Sequence, residues 1–559
     1  MVGLSMGVLG APRRSAVRPR AELVEGVVLE KRLGSLPVIA DFCRRIDIAG
    51  IIDELCPVRD VALATHGQVI EVLIANRLTN PSAMAGVVDW ARAWAVGEVY
   101  GITTSALGDD RLGRALDAVA EHTDTIVGTV GAAAIDRFGI DVTRLHWDMT
   151  SISLHGAYQQ NDPDYPAPGW GHPKDRRPDL KQIQAGIAVS ADGAVPVFHQ
   201  VYDGGAGEIA QVVDAMHALQ NLADTPGFLM VGDSKLISYG NLTAMTGAGV
   251  KFLAPLAAAR VPAGLFAGID PGTATPVDYI AARDTNKPAA KRCAYRVTED
   301  VMHLAGPRKA DPVHQIRRIL VHSTANQHAA QTARELKLGK ARTDLDTLIR
   351  TAGTRHHPDT AAVTAKAAQI SKKRRVGAYL RTTITTDPDT GKPVFAWHYD
   401  QAAIDAETAT DGWYALLTNL NPADADPAEV LRRYKTQNTV EQRYSTIKGP
   451  LAVAPMFLQT NRRITALITV ICLALLIFSL IEREVRRRLA EQNQTDMVGF
   501  YALDNRAVRP TGRLILQALY DLRLIPAHDR QPPKIPHPGW LQAQLLALLN
   551  VDPTRPRWL

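Results

Sequence analysis

Near residue 440 four side chains with complementary chemistry recur at helical spacing: Tyr434, Gln437, Glu441 and Lys448. Offsets of 3, 7 and 14 residues from Tyr434 fall within roughly a 60° arc on a helix of 3.6 residues per turn. A phenol, an amide, a carboxylate and an ammonium would then share one face. The run is punctuated at both ends. Asp426-Pro427 with Glu429 supplies an N-cap, a proline at the first helical position and a capping-box acid, and Gly449-Pro450 ends it. Val440, Tyr444, Ile447 and Leu451 form a neighbouring apolar stripe. A solvated charged face gives the same pattern, so the row needs support from elsewhere in the chain.

That support comes from two aspartates. Leu145 to Leu154 reads as a strand carrying Asp148, and 161–179 as a loop rich in Pro, Asp and Gly. Ile183–Val189 and Val195–Tyr202 read as two further strands joined at Asp192-Gly193, a hairpin signal. An amphipathic helix over Glu208–Leu222 leads to a buried strand, Phe228 to Asp233, that ends in an acid. Three antiparallel strands, a helix and a buried strand match the order of an α/β, ribonuclease-H-like catalytic core, which puts one acid on its first strand and one after its fourth. Asp148, Asp233 and Glu441, from strand, strand and helix, suit two divalent cations. Mg2+ is hard and prefers carboxylate oxygen, and two ions held together activate the attacking oxygen and stabilise the leaving one in phosphodiester chemistry. Tyr434 and Lys448 would then touch DNA phosphates. Trp147 reads as core packing, and His146, His155 and His172 lack zinc-like spacing.

The 559 residues exceed what one core supports, so several domains are expected. With 46% apolar and 21% charged residues the composition is that of an ordinary globular protein. The net charge of +6 is unevenly spread. From Arg334 to Arg375 eleven Lys/Arg face four Asp/Glu, a local +7 that suits a polyanion or a solvated linker. Four scattered cysteines form no metal or redox motif and point to a reducing compartment. No secretory signal or phosphate-binding Gly-rich loop is read. Ile464 to Ile481 is free of charge and long enough to span a bilayer. Its Thr465, Thr469, Cys472 and Ser479 favour a helix buried in a large domain, so no membrane is expected.

With these motifs in place the chain resembles the DDE-type insertion-sequence transposases marked by Tyr-x2-Arg-x3-Glu-x6-Lys. His172 to Gln182 resembles that family's SKDHRPDLKQ loop, Val231-Gly232-Asp233-Ser234-Lys235 with Asn241-Leu242 its second-Asp motif, and Asp411-Gly412 to Asn419 the strand before its third acid. The resemblance implies that Asp148, Asp233 and Glu441 bind two Mg2+ ions, with Mn2+ as a substitute, and that Tyr434, Gln437 and Lys448 contact DNA. It further implies a homodimer holding double-stranded DNA (terminal inverted repeats and target), hydrolysis at the element ends, strand transfer, in related enzymes a hairpin intermediate, and a cytoplasmic, nucleoid-associated location. The implied division is a disordered basic N-terminus (1–29), a helical DNA-binding domain (30–140) and a catalytic core (141–254 and 411–490). A β-rich insertion with a basic helical excursion (255–410) and a C-terminal segment (491–559) complete it.

One position departs from the pattern. Where the family has Arg, this chain has Gln437, and a neutral amide cannot make the bidentate phosphate contact of a guanidinium. Two alternatives therefore stand beside a bacterial transposase: a stand-alone nuclease of the same fold, and a catalytically dead, transposase-derived DNA-binding protein.

Overall fold

The computed structural model describes residues 30–158, 162–171, 173–223, 227–262, 264–285, 287–451, 458–501, 505–527 and 533–552. The expected disordered N-terminus and His172 lie outside these residues. The architecture is mixed α/β, with a helical N-terminal region and a large mixed sheet. Among the N-terminal helices are Leu36–Ile46, α1 (His66–Thr79), α2 (Asp109–Ala120) and α3 (Thr123–Phe138). α1 begins with a complete capping box: Thr65 accepts from the Gln68 backbone and Gln68 reaches back to the Thr65 N–H.

The sheet has nine strands: β1 (Arg144–Leu154), β2 (Lys181–Ser190), β3 (Pro196–Tyr202), β4 (Leu229–Val231), β5 (Lys251–Pro255), β6 (Thr275–Val277), β7 (Tyr295–Leu304), β8 (His314–Ser323) and β9 (Trp413–Thr418). Their spatial order is β3-β2-β1-β4-β5-β9-β8-β7-β6. β1, β4 and β5 run parallel, while β2 and β3 fold back as antiparallel hairpins. A helix, α4 (Val212–Ala223), joins β3 to β4. β1 is buried along nearly its whole length, as a central strand covered on both faces must be.

The stretch 255–410 does two different things. β6, β7 and β8 do not form a body of their own; they extend the main sheet on the far edge of β9. The rest is largely helical: α5 (Thr324–Thr351) and α6 (Thr360–Arg374) pack with a separate hairpin, Leu380–Thr386 against Pro393–Tyr399, around their own apolar cluster. The β character read over this stretch therefore belongs mostly to the main sheet. Arg334 of α5 ties the excursion to the sheet through a buried ion pair with Asp411, just before β9.

The expected single helix after Asp426 is two: α7 (Pro427–Lys435) and α8 (Asn438–Lys448). At the junction Gln437 N bonds Tyr434 O and Val440 N bonds Gln437 O, both spanning three residues rather than four. The Thr436 hydroxyl also bonds back to the Arg433 carbonyl. Such a tightened turn shifts the helical phase, so the four-residue row is not one continuous face. The apolar run forms the middle of α9 (Asn461–Glu491), and every residue from Ile464 to Ile481 is buried. α9 packs on α1, α2 and β3, and Arg463 anchors its start to Asp117 of α2 at 2.7 Å.

Gly186 of β2 faces the Trp147 ring, which is 3% exposed and has no room to retreat. A methyl group there would lie 2.3 Å from the ring. Gly186→Ala is expected to destabilise the fold by about 1–3 kcal/mol, read by urea unfolding; a change within measurement error would refute this account of the packing beside Asp148.

Candidate active site

Parallel register brings the two aspartates together. His146 of β1 pairs with Val231 of β4, so Asp148 and Asp233, each two residues further on, lie level and on the same face. Asp233 ends the strand by capping a short 3-10 turn, its carboxylate accepting from Lys235 N at 2.8 Å. A third acid joins them. Glu208, on the 3-10 turn leading into α4, offers an oxygen that lies with one from each aspartate inside a group spanning no more than 4.8 Å. Sequence reading missed Glu208; its only signal was its place at the start of the amphipathic segment.

The local electrostatics match the donor set. Burial, with a contribution from Asp233, raises the pKa of Asp148, and burial with the nearby Glu208 charge raises that of Asp233. Two lysines offset the crowded charge: Lys174 Nζ lies 3.1 Å from Asp148 Oδ1 and also reaches the Met149 carbonyl, while Lys235 pairs with Glu208. Hard oxygen donors, clustered and disfavoured as anions by one another and by burial, are what a divalent cation relieves. Lys174 comes from the Pro- and Asp-rich loop, which is pinned along β1: Ser151 Oγ accepts from Lys174 N at 2.9 Å and Ser153 Oγ donates to Asp175 at 2.5 Å.

Glu441 is not in this cluster. It is exposed on the first turn of α8. Tyr434 feels both the cluster and Glu441: burial first, then the Asp233 and Glu441 charges, raise its pKa. Lys448, exposed in the last turn of α8, has its pKa lowered by desolvation, against an opposing pull from Asp175 and Asp148. What fixes α8 is its inward face. Val440, Tyr444 and Ile447 are buried. The Tyr444 hydroxyl donates to the Asp148 carbonyl and accepts from Ile187 N at 3.1 Å. Arg443 bonds the Gly193 and Ala194 carbonyls and Glu482 of α9.

Gln437 points inward. Its Oε1 lies 2.8 Å from Nδ1 of His146, and Thr436 Oγ1 lies 3.0 Å from Nε2. Burial pushes the pKa of His146 down to about 4, so the ring is neutral near neutral pH. A neutral amide suits a neutral ring two residues before Asp148, on the same strand face.

Residues 134–477 match the family model described as a transposase DDE domain. Residues 28–128 match a domain of unknown function, DUF4277. No curated protein matches the chain by sequence. A solved structure, the cryo-EM piggyBac transposase synaptic complex with hairpin DNA, is similar at 9% identity and a TM-score of 0.38, over 95% of this chain and 86% of that one.

Two measurements follow from this geometry. Mg2+ is expected to raise Tm in a concentration-dependent way. Asp233→Asn should abolish the rise and Glu208→Gln should weaken it; a full rise in both variants would remove the cluster as a cation site. Gln437→Arg places a charge against the neutral His146 and should cost about 1–3 kcal/mol of stability. An unchanged or increased stability would mean that the amide is not matched to that ring.

Proposed function

The chain belongs to the DDE transposase family, and from that premise we propose that it is the transposase of a bacterial insertion sequence, acting on double-stranded DNA. Phosphodiester hydrolysis at the element ends and strand transfer into target DNA are the reactions proposed. The observation that carries the reading is the carboxylate cluster of Asp148, Asp233 and Glu208, set by adjacent parallel strands. The strand order around it, with three parallel central strands and two antiparallel ones on one side, supports a ribonuclease-H-like core over 141–254 and 411–490. A helical DNA-binding domain over 30–140 and a C-terminal segment over 491–559 complete the proposed division.

Asp148, Asp233 and Glu208 would hold divalent cations, with Glu441 joining from the exposed first turn of α8 once DNA lies across the site. Two Mg2+ ions bound there, or Mn2+ in their place, would supply charge neutralisation and Lewis-acid polarisation of the scissile phosphodiester. The protein's own groups do the rest. Tyr434 offers a hydroxyl and Lys448 a mobile ammonium to the phosphates flanking the scissile bond. Gln437 acts through His146, holding the strand that carries Asp148, in place of the phosphate contact expected of an arginine. Exposed Lys372 and Lys373, with half-buried Lys366, extend a positive surface along α6, suited to the DNA backbone. A homodimer bridging two element ends, in the cytoplasm at the nucleoid, is the proposed working form.

The test is Mg2+-dependent nicking of a supercoiled plasmid that carries the gene's own flanking DNA. Nicks at the flank boundaries are expected, reduced by about 10- to 100-fold or more in Asp233→Asn, the loss typical of disturbing even an outer partner of a metal ligand. Nicking without preference for the flanks would favour a stand-alone nuclease, and DNA binding without nicking by wild type would favour a dead enzyme.

A further inference from the structure

A second concentration of charge lies just past the end of α8 and is opposite in sign. Pro450 and Leu451 line a cavity of about 290 Å³ together with Arg77, Trp94, Arg513 and Tyr520. Leu451, a buried wall residue of the cavity, is three residues from Lys448, so its backbone lies within ~11 Å of that residue's. Arg77 is 6% exposed. One of its terminal nitrogens bonds the Ser82 carbonyl at 3.1 Å, while its Nε is buried without a partner. Arg32 adjoins the same rings: its guanidinium lies 4.1 Å from the Tyr520 ring centroid and 5.6 Å from that of Trp94, and its Nε too is buried without a partner. Among the described residues no carboxylate forms an ion pair with Arg32, Arg77 or Arg513.

Three guanidinium groups gathered without a counter-charge, one of them buried, are costly to maintain unless an anion visits. The chemistry beside them narrows the anion. Trp94 and Tyr520 meet edge to face at 5.7 Å, and Tyr520 is 40% exposed, so a flat ring has a surface to lie on next to the positive charge. Guanidinium groups match phosphate oxygens with paired N–H donors, and aromatic rings stack on nucleobases without regard to sequence. The cavity is near the lower bound of small-ligand pockets, roughly 300–1,000 Å³, which suits a single nucleotide unit and excludes a duplex.

We propose that this arginine and aromatic pocket is a nucleotide-binding subsite, taking one phosphate-bearing unit of the DNA strand that runs on from the carboxylate site past Lys448. The inference rests on the DNA reading above. Its role is to hold the strand beyond the reaction centre, so that the phosphodiester over the carboxylates does not slide.

The test measures binding of the full-length protein to a duplex from the gene's own flank, by fluorescence anisotropy across a salt series. Arg513→Ala, at an exposed position, should weaken binding several-fold. It should also flatten the plot of log K against log salt by about 0.9, the signature of one lost phosphate contact. Arg77→Met should do the same, with circular dichroism reporting whether it is folded; Arg513→Ala keeps the test decisive if it is not. Wild-type affinity and slope in folded variants would overturn the subsite. Thermal stabilisation by a deoxynucleoside monophosphate or inorganic phosphate, lost in Arg513→Ala while duplex binding is untouched, would overturn it in favour of a free small-molecule site. A wild-type protein that does not bind the duplex at all would remove the DNA reading, and this inference with it.

Discussion

One hydroxyl group holds the carboxylate-bearing strand to the rest of the molecule. Tyr444 reaches from α8 to the backbone of both β1 and β2, donating to the carbonyl of Asp148 and accepting from the N–H of Ile187. The carboxylate-bearing strand, its hairpin partner and the helix carrying Glu441 therefore meet at a single buried atom. A buried hydroxyl in that position must keep its partners, since leaving them unmet costs more than any one of the bonds contributes. Arg443, one residue earlier, secures the same helix to the β2–β3 turn and to Glu482 of α9. α9 in turn is buried from Ile464 to Val485, which makes the apolar run the beam on which both the sheet and the N-terminal helices rest.

Much of this was legible in the chain because it is written in local patterns. Asp148 and Asp233 were found from strand periodicity and from an acid closing an apolar run, and the inward stripe of Val440, Tyr444 and Ile447 from helical spacing. What was not legible depends on tertiary partners. The break between α7 and α8 arises where Thr436 and Gln437 turn toward His146, nearly 300 residues earlier in the chain. Spacing within the helix holds no trace of that partner, so the four polar residues looked like one row. Glu208 was missed for a related reason: only the packing of its 3-10 turn against the turn that Asp233 caps brings it beside the aspartates, and its local signal is that of any helix-start acid. Glu441 is the converse case, prominent in sequence but exposed and apart from the cluster in this structure.

Charge is distributed in a way that composition alone hides. A net of +6 averages over a carboxylate cluster held in check by Lys174 and Lys235, and over arginines around Trp94 and Tyr520 that pair with no acid among the described residues. Opposite potentials at neighbouring positions orient a polyanion better than a uniformly basic face does.

The threading of the sheet also sets an order of assembly. β5 ends at Pro255, and the strand beside it, β9, begins at Trp413; everything between must be accommodated before that pair can close. Contacts of such long sequence separation form late, since the entropy of closing the loop is lost before any pairing is gained. On a chain emerging from its N-terminus, Asp148, Glu208 and Asp233 can therefore come together while one edge of their sheet is still open and α8 has not been made. The helix that packs on β1 and β2 arrives only after the excursion has folded, so a truncated chain would carry the acids without the element that pins their strand.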